Sequence, residues 1–201
     1  MLTTSQKKKI HDFYHFLIKW GVEHHRNFLW RNKPTPYRVL IAELFLQRTN
    51  AEQAEKQYRL FLGKYKSFNA LDHMTSRELK KFFEPLGLRK RIKIFKKLIA
   101  VINRRYSGRI PNGYQELMNL PGIGDYAANA VLLFAHNQRR GLVDANTIRI
   151  FSTLFKKNIT RENGKRSVFI RECSEYFSSL GRNPKRSNWI LLDYGAAISK
   201  K

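Results

Sequence analysis

Apolar residues recur at intervals of three and four along almost the whole chain, while alternation of apolar and polar positions is scarce. Intervals of three and four place side chains on one face of an α-helix. Phe13, Phe16, Leu17 and Trp20 illustrate the spacing in the first such stretch. The pattern therefore predicts an all-α protein, built from helices of about ten residues joined by short loops.

Proline and glycine positions divide this pattern into elements. Pro34 and Pro36 mark a loop after the first helix, and a second helix follows from Val39 to Leu46. The segment 136–141 is the best candidate for a crossing between two lobes, and no internal repeat or low-complexity linker is present. Further helices are predicted at 51–65, 76–83, 89–106, 112–119, 126–136, 145–156, 165–180 and 186–198.

The charge balance is strongly basic. The 201 residues include 39 Lys and Arg against 15 Asp and Glu, a formal net charge of +24. Hydrophobic residues at 42% are too many for a disordered basic tail, so the charge belongs to a folded body that attracts a polyanion such as DNA. The basic clusters are Lys7–Lys9, Arg89–Arg91, Lys96–Lys97, Arg104–Arg105, Arg139–Arg140 and Lys156–Lys157.

Cysteine and histidine usage argues against a metal centre. One cysteine, Cys173, can form neither an internal disulfide nor a four-thiolate site. The six histidines, which include His24 and His25, lack the spacing of zinc ligands, so we interpret them as surface or core residues and predict no metal site. No apolar run approaches a membrane span, so we expect an intracellular protein without a membrane partner.

A glycine-rich turn, Leu120-Pro121-Gly122-Ile123-Gly124, joins two predicted helices. Gly122 and Gly124 permit the positive φ angles of a tight turn. The backbone N–H groups there, together with the helix start at Asp125, can face a phosphate. Because many helix pairs turn this way for structural reasons alone, the turn by itself leaves DNA binding and a plain connection equally open.

A second string follows twenty residues after Gly124. Val143-Asp144-Ala145-Asn146-Thr147-Ile148-Arg149-Ile150 places an acid at the mouth of an apolar helix, where Asp144 taken alone is most simply a helix cap. Together the two strings resemble the helix-hairpin-helix DNA glycosylase superfamily, which contains endonuclease III, MutY-type adenine glycosylases and Mig-type thymine mismatch glycosylases. The segments 30–31, 35–49, 86–88 and 191–196 are also similar, so the resemblance covers roughly residues 28–198.

The resemblance implies an endonuclease III-like fold with two helical lobes and a catalytic cleft between them. A barrel lobe that contains the helix-hairpin-helix would span 29–136, and the second lobe would combine 1–28 with 137–201. We expect a monomer that binds double-stranded DNA.

The resemblance also implies catalytic roles. Asp144 matches the carboxylate that stabilises the sugar cation and aligns water, and the high positive charge would tend to keep it ionised. Tyr126 stands where bifunctional relatives carry a Schiff-base lysine, and a phenol cannot form an imine. Glu43 matches the acid that protonates adenine in MutY-type enzymes. Two alternatives stay open: Tyr126 as a core aromatic, and Glu43 as a partner of the Tyr37 hydroxyl or of a helix N-terminus.

Base flipping requires contacts to the DNA backbone and a side chain that fills the vacated gap. By resemblance Gln47 is the first candidate for this wedge and Leu88 the second, although Gln47 could also be an ordinary exposed residue at a helix end. The phosphate contacts would come from the hairpin, at Gly122, Ile123, Gly124 and Asp125.

The expectation about cofactors rests on a difference between this sequence and the family's cluster-containing members. Relatives with a [4Fe–4S] cluster continue past the Gly-Ala string with four spaced cysteines, whereas here Ser199 and two lysines follow. We therefore expect no iron–sulfur cluster and no other cofactor, with a monovalent cation at the hairpin as the only ion to consider.

These features predict a monofunctional DNA glycosylase of base excision repair that removes thymine or uracil from G·T and G·U mismatches. Tyr126 resembles the Mig-type enzymes, and the chain stops before the additional domain that MutY-type enzymes carry. The alternatives are an adenine glycosylase acting opposite guanine or 8-oxoguanine, and a helix-hairpin-helix DNA-binding protein without chemistry. Either way the protein would work on DNA, in the cytoplasm or nucleoid.

Overall fold

A computed structural model describes residues 1–47 and 49–199. All regular structure in these residues is helical, which confirms the predicted all-α class. Three short 3₁₀ helices lie at Leu29–Arg31, Asn69–Leu71 and Arg89–Arg91. The α-helices are α1 (Thr4–His24), α2 (Pro36–Phe45), α3 (Ala51–Lys64), α4 (Ser76–Phe83), α5 (Ile92–Tyr106), α6 (Tyr114–Met118), α7 (Asp125–Phe134), α8 (Ala145–Leu154), α9 (Arg161–Gly164), α10 (Val168–Ser179) and α11 (Pro184–Ala197).

Short polar side chains set where most of these helices begin. Each accepts a hydrogen bond from a backbone N–H of the first turn, which has no partner within the helix. At α1 and α4 the bond is reciprocal, because Gln6 and Glu78 reach back to the backbone of Thr3 and Thr75. Proline supplies the first residue of α2 and α11.

Three predicted helices begin three residues away from their predicted start, and the one predicted from Val39 already begins at Pro36. The helix predicted at 165–180 begins only at Val168, because the Ser167 hydroxyl caps it there. The four-residue helix α9 just before it was not predicted, since so short an element shows no apolar period. The helix predicted from 89 opens as the 3₁₀ turn Arg89–Arg91, and α5 starts at Ile92.

The chain forms two compact units. We call residues 27–136 the central unit, and residues 1–26 with the chain from 137 onward the terminal unit. In the central unit α2 packs against α7 and α3. Side chains that are buried there include Leu40, Ile41, Phe45, Phe61, Leu98, Val131 and Leu132.

The terminal unit is built from both ends of the sequence. Helix α1 packs on α11 and α10, and α8 packs on α10 and α11. Gly21 allows the close approach of α1 to α11, since a Cβ there would lie 2.6 Å from Ile190 Cδ1. The core of the terminal unit contains Ile10, Leu17, Ile148, Phe151, Cys173, Phe177, Ile190 and Leu191. Within the described residues, no helix combines the length and apolar character needed to cross a bilayer.

Candidate active site and DNA-binding hairpin

The turn between α6 and α7 is closed by one backbone hydrogen bond, from the Ile123 N–H to the Leu120 carbonyl at 3.2 Å. Pro121 and Gly122 occupy its two central positions, and Gly122 has φ +77°. Proline followed by a residue with positive φ is the signature of a type II turn. A Cβ on Gly122 would also lie 2.5 Å from Ile94 Cγ2. Glycine is therefore required at this position by both conformation and space.

Gly124 serves a different purpose from the one predicted. Its φ of −108° and ψ of 179° are extended, so the expectation of a positive φ there is wrong. No atom lies within 4 Å of a Cβ built on it, and the residue is exposed. As the residue before α7 it offers no side-chain oxygen to the first helical N–H groups. Because Gly124 has no side chain and no close neighbour, a hydrogen-bond acceptor from outside the protein can approach the first N–H groups of α7.

Asp125 and Ile123 make internal contacts in the hairpin. The Tyr114 hydroxyl donates to Asp125 Oδ1 at 2.6 Å and Asn129 Nδ2 donates to the same oxygen at 3.1 Å, which ties α6 to α7. Ile123 is buried. Because the Ile123 N–H already donates to the Leu120 carbonyl, the predicted DNA contact would be made by the backbone N–H of Asp125.

Asp144 caps α8 with both carboxylate oxygens engaged. Oδ1 accepts the backbone N–H groups of Asn146 and Thr147, each at 2.9 Å, and Oδ2 accepts Asn146 Nδ2 at 2.9 Å. The Thr147 hydroxyl accepts the Asp144 N–H in return, at 2.9 Å. The capping role considered for Asp144 is therefore real, and it fixes the position of the carboxylate.

Burial raises the pKa of the Asp144 carboxyl above its ordinary value, and the hydrogen bonds from Thr147 and Asn146 oppose the rise. The sequence-based expectation was that nearby cations would tend to keep this carboxyl ionised, but the groups that favour its ionised form are the donors Thr147 and Asn146. Desolvation acts on the group itself, whereas exposed lysines and arginines are screened by solvent. Asp144 is thus a carboxylate whose charge is costly to bury and is stabilised by fixed donors.

The orientation of the Asn146 amide depends on two further residues. Arg149 Nη1 donates to Asn146 Oδ1 at 3.3 Å and to the Gly195 carbonyl at 2.7 Å. With its oxygen bound to Arg149, the amide turns its NH₂ toward Asp144. A Cβ on Gly195 would lie 2.5 Å from Asn146 Cβ, so glycine makes room for this side chain. The sequence analysis missed these contacts, although Asn146 and Arg149 lie in the string that it singled out.

Glu43 lies in α2 and is only 8% exposed. The Tyr37 hydroxyl, one partner considered for Glu43, donates its proton to the Tyr65 carbonyl at 2.8 Å. Tyr126, the second residue of α7, is partly exposed. Its catalytic relevance and that of Glu43 stay predictions.

The two wedge candidates differ in placement. Gln47 follows the end of α2 and is partly buried, so it is not an ordinary exposed residue. Its Oε1 is enclosed and accepts no hydrogen bond from the described residues. Leu88 is 5% exposed, and its N–H donates to the Phe83 carbonyl at 2.9 Å. Leu88 would have to leave this packing to enter a duplex, and both wedge roles stay predictions.

The predicted site residues belong to both units. Asp144 lies in the terminal unit, as do Asn146, Arg149 and Gly195. The central unit holds the remaining ones: Glu43, Gln47, Leu88, Gly122, Ile123, Gly124, Asp125 and Tyr126.

A further buried carboxylate, Asp193 of α11, was not singled out by the sequence analysis. Its Oδ1 accepts Arg26 Nε at 2.8 Å, its Oδ2 accepts the Arg26 N–H at 3.0 Å, and His25 Nδ1 lies 3.3 Å from Oδ2. The ion pair joins the end of α1 to α11. We therefore assign Asp193 to the fold of the terminal unit rather than to catalysis.

The residues present do not fit an iron–sulfur cluster. Cys173, the one cysteine of the sequence, is fully buried in the core of the terminal unit, and a cluster needs several thiolates. No chemical step is assigned to a cluster below. The absence of a cofactor and the monovalent cation at the hairpin stay predictions.

The hairpin lies in a segment that a comparison with protein families also identifies. A family model described as the helix-hairpin-helix motif matches residues 105–134. The thymine/uracil-DNA glycosylase of Pyrobaculum aerophilum is 35% identical over 188 residues, which cover 90% of this chain and 80% of that protein. The chain belongs to the helix-hairpin-helix DNA glycosylases. This confirms the predicted family and makes the protein a DNA-binding hydrolase of N-glycosyl bonds.

Two further comparisons support the assignment of the chain to this family. The thymine/uracil-DNA glycosylase of Methanothermobacter thermautotrophicus is 33% identical over 153 residues, 76% of this chain and 68% of the relative. The solved structure of a thermostable thymine-DNA glycosylase matches with a TM-score of 0.84 and 29% identity. That match covers 94% of this chain and 87% of the solved one, so the endonuclease III-like fold extends over nearly the whole glycosylase.

Proposed function

We propose that this glycosylase is monofunctional, removes thymine or uracil paired with guanine, and leaves an abasic site. The observation that carries the choice of base is the likeness to thymine/uracil-DNA glycosylases across 90% of the chain. Abasic DNA is the substrate of later steps of base excision repair. We therefore propose that the enzyme acts on DNA inside the cell.

The first step takes the target nucleotide out of the duplex. A base in the stack hides its glycosidic bond, and extrusion costs a few kcal/mol, least at a mismatch. Backbone N–H groups at Gly124 and the start of α7 would hold a phosphate, and Gln47 would fill the gap. The Oε1 of Gln47 is enclosed and has no hydrogen-bond partner among the described residues, which supports this role because such an acceptor gains from a donor on the orphaned base.

The second step breaks the bond from C1′ of the sugar to N1 of the pyrimidine. The bonding electrons leave with the base, which departs as an N1 anion, and positive charge develops on the sugar. The ionised Asp144 carboxylate stabilises this cation and aligns a water molecule. The water oxygen then bonds to C1′, and its proton passes to the carboxylate or to solvent. The donors at Asn146 and Thr147 hold the carboxylate in place throughout.

Strand cleavage by β-elimination requires an amine that forms an imine with the opened sugar. Tyr126 supplies a phenol at the position that the resemblance assigns to this amine. Water is therefore the nucleophile, and the phosphodiester backbone remains intact. Glu43, buried in α2, would then act on the base rather than on the sugar, through hydrogen bonds that favour its departure.

A base-release panel on synthetic duplexes tests the proposal. We expect release of thymine and uracil opposite guanine, strand breaks only after heating in alkali, and no covalent complex with borohydride. Matched duplexes with A·T and G·C pairs are the control. Release of adenine opposite guanine or 8-oxoguanine without pyrimidine release would favour an adenine glycosylase, and a borohydride-trapped complex would contradict the monofunctional mechanism.

A further inference from the structure

Two histidines of α1 lie side by side on an exposed surface of the terminal unit. His11 and His15 are four residues apart, so they share one face of the helix. Their Nε2 atoms are 3.3 Å apart, and their ring centroids are 4.5 Å apart. Both residues are exposed. Neither takes part in the glycosylase site described above.

The separation of the two nitrogens suits a tetrahedral metal. Histidine nitrogens lie 2.0–2.1 Å from Zn²⁺, so two of them at the tetrahedral angle are about 3.3 Å apart. Histidines spaced by four on a helix are a recurrent zinc-binding pair. We propose that His11 and His15 form a binding site for a divalent transition metal, Zn²⁺ in the first instance, through their Nε2 atoms.

The neighbouring carboxylate supports this assignment. Asp12 Oδ1 lies 4.0 Å from Nδ1 of His11, on the side of the ring away from the shared Nε2 position. At this distance the carboxylate makes no hydrogen bond to the ring, but its negative charge beside the pair favours a bound cation.

The proton balance is simple. The 3.3 Å separation of the two Nε2 atoms allows one hydrogen bond between neutral rings, in which either ring is the donor. Zinc needs both Nε2 lone pairs, so a ring that carries its proton on Nε2 must move it to Nδ1 through solvent, and two neutral rings release no net proton. Solvent fills the remaining positions, because the described residues contain no group of three or more His, Cys, Asp or Glu side chains arranged around one ion.

This assignment departs from the sequence-based interpretation of the histidines as surface or core residues. His-x-x-x-His becomes a ligand pair only on a helix, where the two side chains meet on one face. The zinc proposal does not rest on the proposed function, because no step of base release assigned above uses His11 or His15. Either proposal can fail without the other.

Calorimetric titration of tag-free, chelator-treated protein with ZnCl₂ tests the site. We expect one saturable Zn²⁺ per chain and a binding constant at least tenfold weaker in His11→Ala or in His15→Ala. Zinc should raise the Tm of the wild type but not that of these two variants. His73→Ala, which removes an exposed histidine of the central unit, should bind like the wild type. Substitution at exposed helical positions should leave the metal-free Tm nearly unchanged.

Cobalt(II) provides a second readout that does not depend on the folding of a variant. Tetrahedral Co²⁺ absorbs visible light far more strongly than the octahedral aqua ion, so we expect an intense visible band in the wild type that ZnCl₂ removes. Zinc binding that persists unchanged in the His11→Ala/His15→Ala double variant would overturn the proposal. A bound Co²⁺ with only the weak octahedral spectrum would overturn it as well.

Discussion

Asp144 serves the fold and the proposed chemistry with the same two oxygens. As the cap of α8 it satisfies backbone N–H groups that would otherwise lack partners. As the proposed catalytic carboxylate it must stay ionised in a half-buried position where desolvation favours the neutral form. The fixed donors from Thr147 and Asn146 reduce this conflict without removing it, because the net direction of the pKa is upward.

The pH profile of base release follows from this balance. In the proposed mechanism the ionised carboxylate is the active form, and its pKa is raised from the ordinary 3.8. As the pH falls through the raised pKa, the single-turnover rate should drop about tenfold per pH unit. Quench-flow or manual quench with a G·T duplex measures the single-turnover rate at each pH. Fluorescence anisotropy at the same pH values checks that DNA remains bound. A rate that stays level down to about pH 4 would contradict the assignment.

At the residue scale the sequence singled out Asp144 and Glu43 as candidate catalytic residues. It did not predict which side chains contact them. A carboxyl before an apolar helix predicts a cap, and α8 begins there. The Arg149 guanidinium and the Gly195 carbonyl that orient Asn146 come from positions 46 residues apart. No local pattern brings such positions together, so only the packing of α11 against α8 reveals the contact.

The hairpin shows how two glycines in one turn differ in purpose. Gly122 is required by its positive φ and by the neighbouring Ile94 side chain. Gly124 is required by neither, because its backbone is extended and its surroundings are open. The two positions therefore separate the stability of the hairpin from its contact with DNA.

Substitution at the two glycines should give opposite results. Gly122→Ala should lower the free energy of unfolding by about 1–2 kcal/mol because of the left-handed conformation, and more if Ile94 cannot move. Gly124→Val should cost about 1 kcal/mol or less, as at a helix cap, yet weaken duplex binding about tenfold or more by blocking a phosphate contact. Denaturant unfolding and anisotropy measure the two effects.

The choice of base gives the control for this pair of variants, since phosphate contacts carry no sequence information. Both variants should prefer the same mismatch as the wild type. Wild-type affinity in Gly124→Val, or a changed base preference, would show that the hairpin does not act through the DNA backbone.

At the element scale the helical spacing predicted most of the helices, and capping set their ends. Because Ser167 caps α10, that helix begins at Val168 rather than at the predicted residue 165. Helix α9 is too short to show a period of apolar residues. The all-α class needed only the apolar spacing. The packing of α1 beside α11 could not be predicted from spacing, because it depends on a bare Gly21 facing Ile190.

The charge of +24 belongs to the whole molecule rather than to one motif. Each phosphate neutralised by a lysine or arginine releases condensed counterions, so affinity should fall steeply with salt. With six to ten such contacts, binding of a fully paired duplex should weaken by about 10³–10⁵ between 50 and 200 mM salt. Anisotropy titrations measure the slope, and Tm across the same range is the control for folding. Affinity that is independent of salt would contradict a backbone-dominated interface.

The central claim is that the Asp144 carboxylate drives base release. The most direct measurement compares wild type and Asp144→Asn in single-turnover release of thymine from a G·T duplex. The Asn variant keeps a capping oxygen and loses only the bond from Asn146 Nδ2, so its Tm should lie near the wild type and its affinity for the duplex should be equal or tighter. The rate should fall by roughly 10³-fold or more. A variant that folds, binds and releases thymine within about tenfold of the wild-type rate would contradict the account.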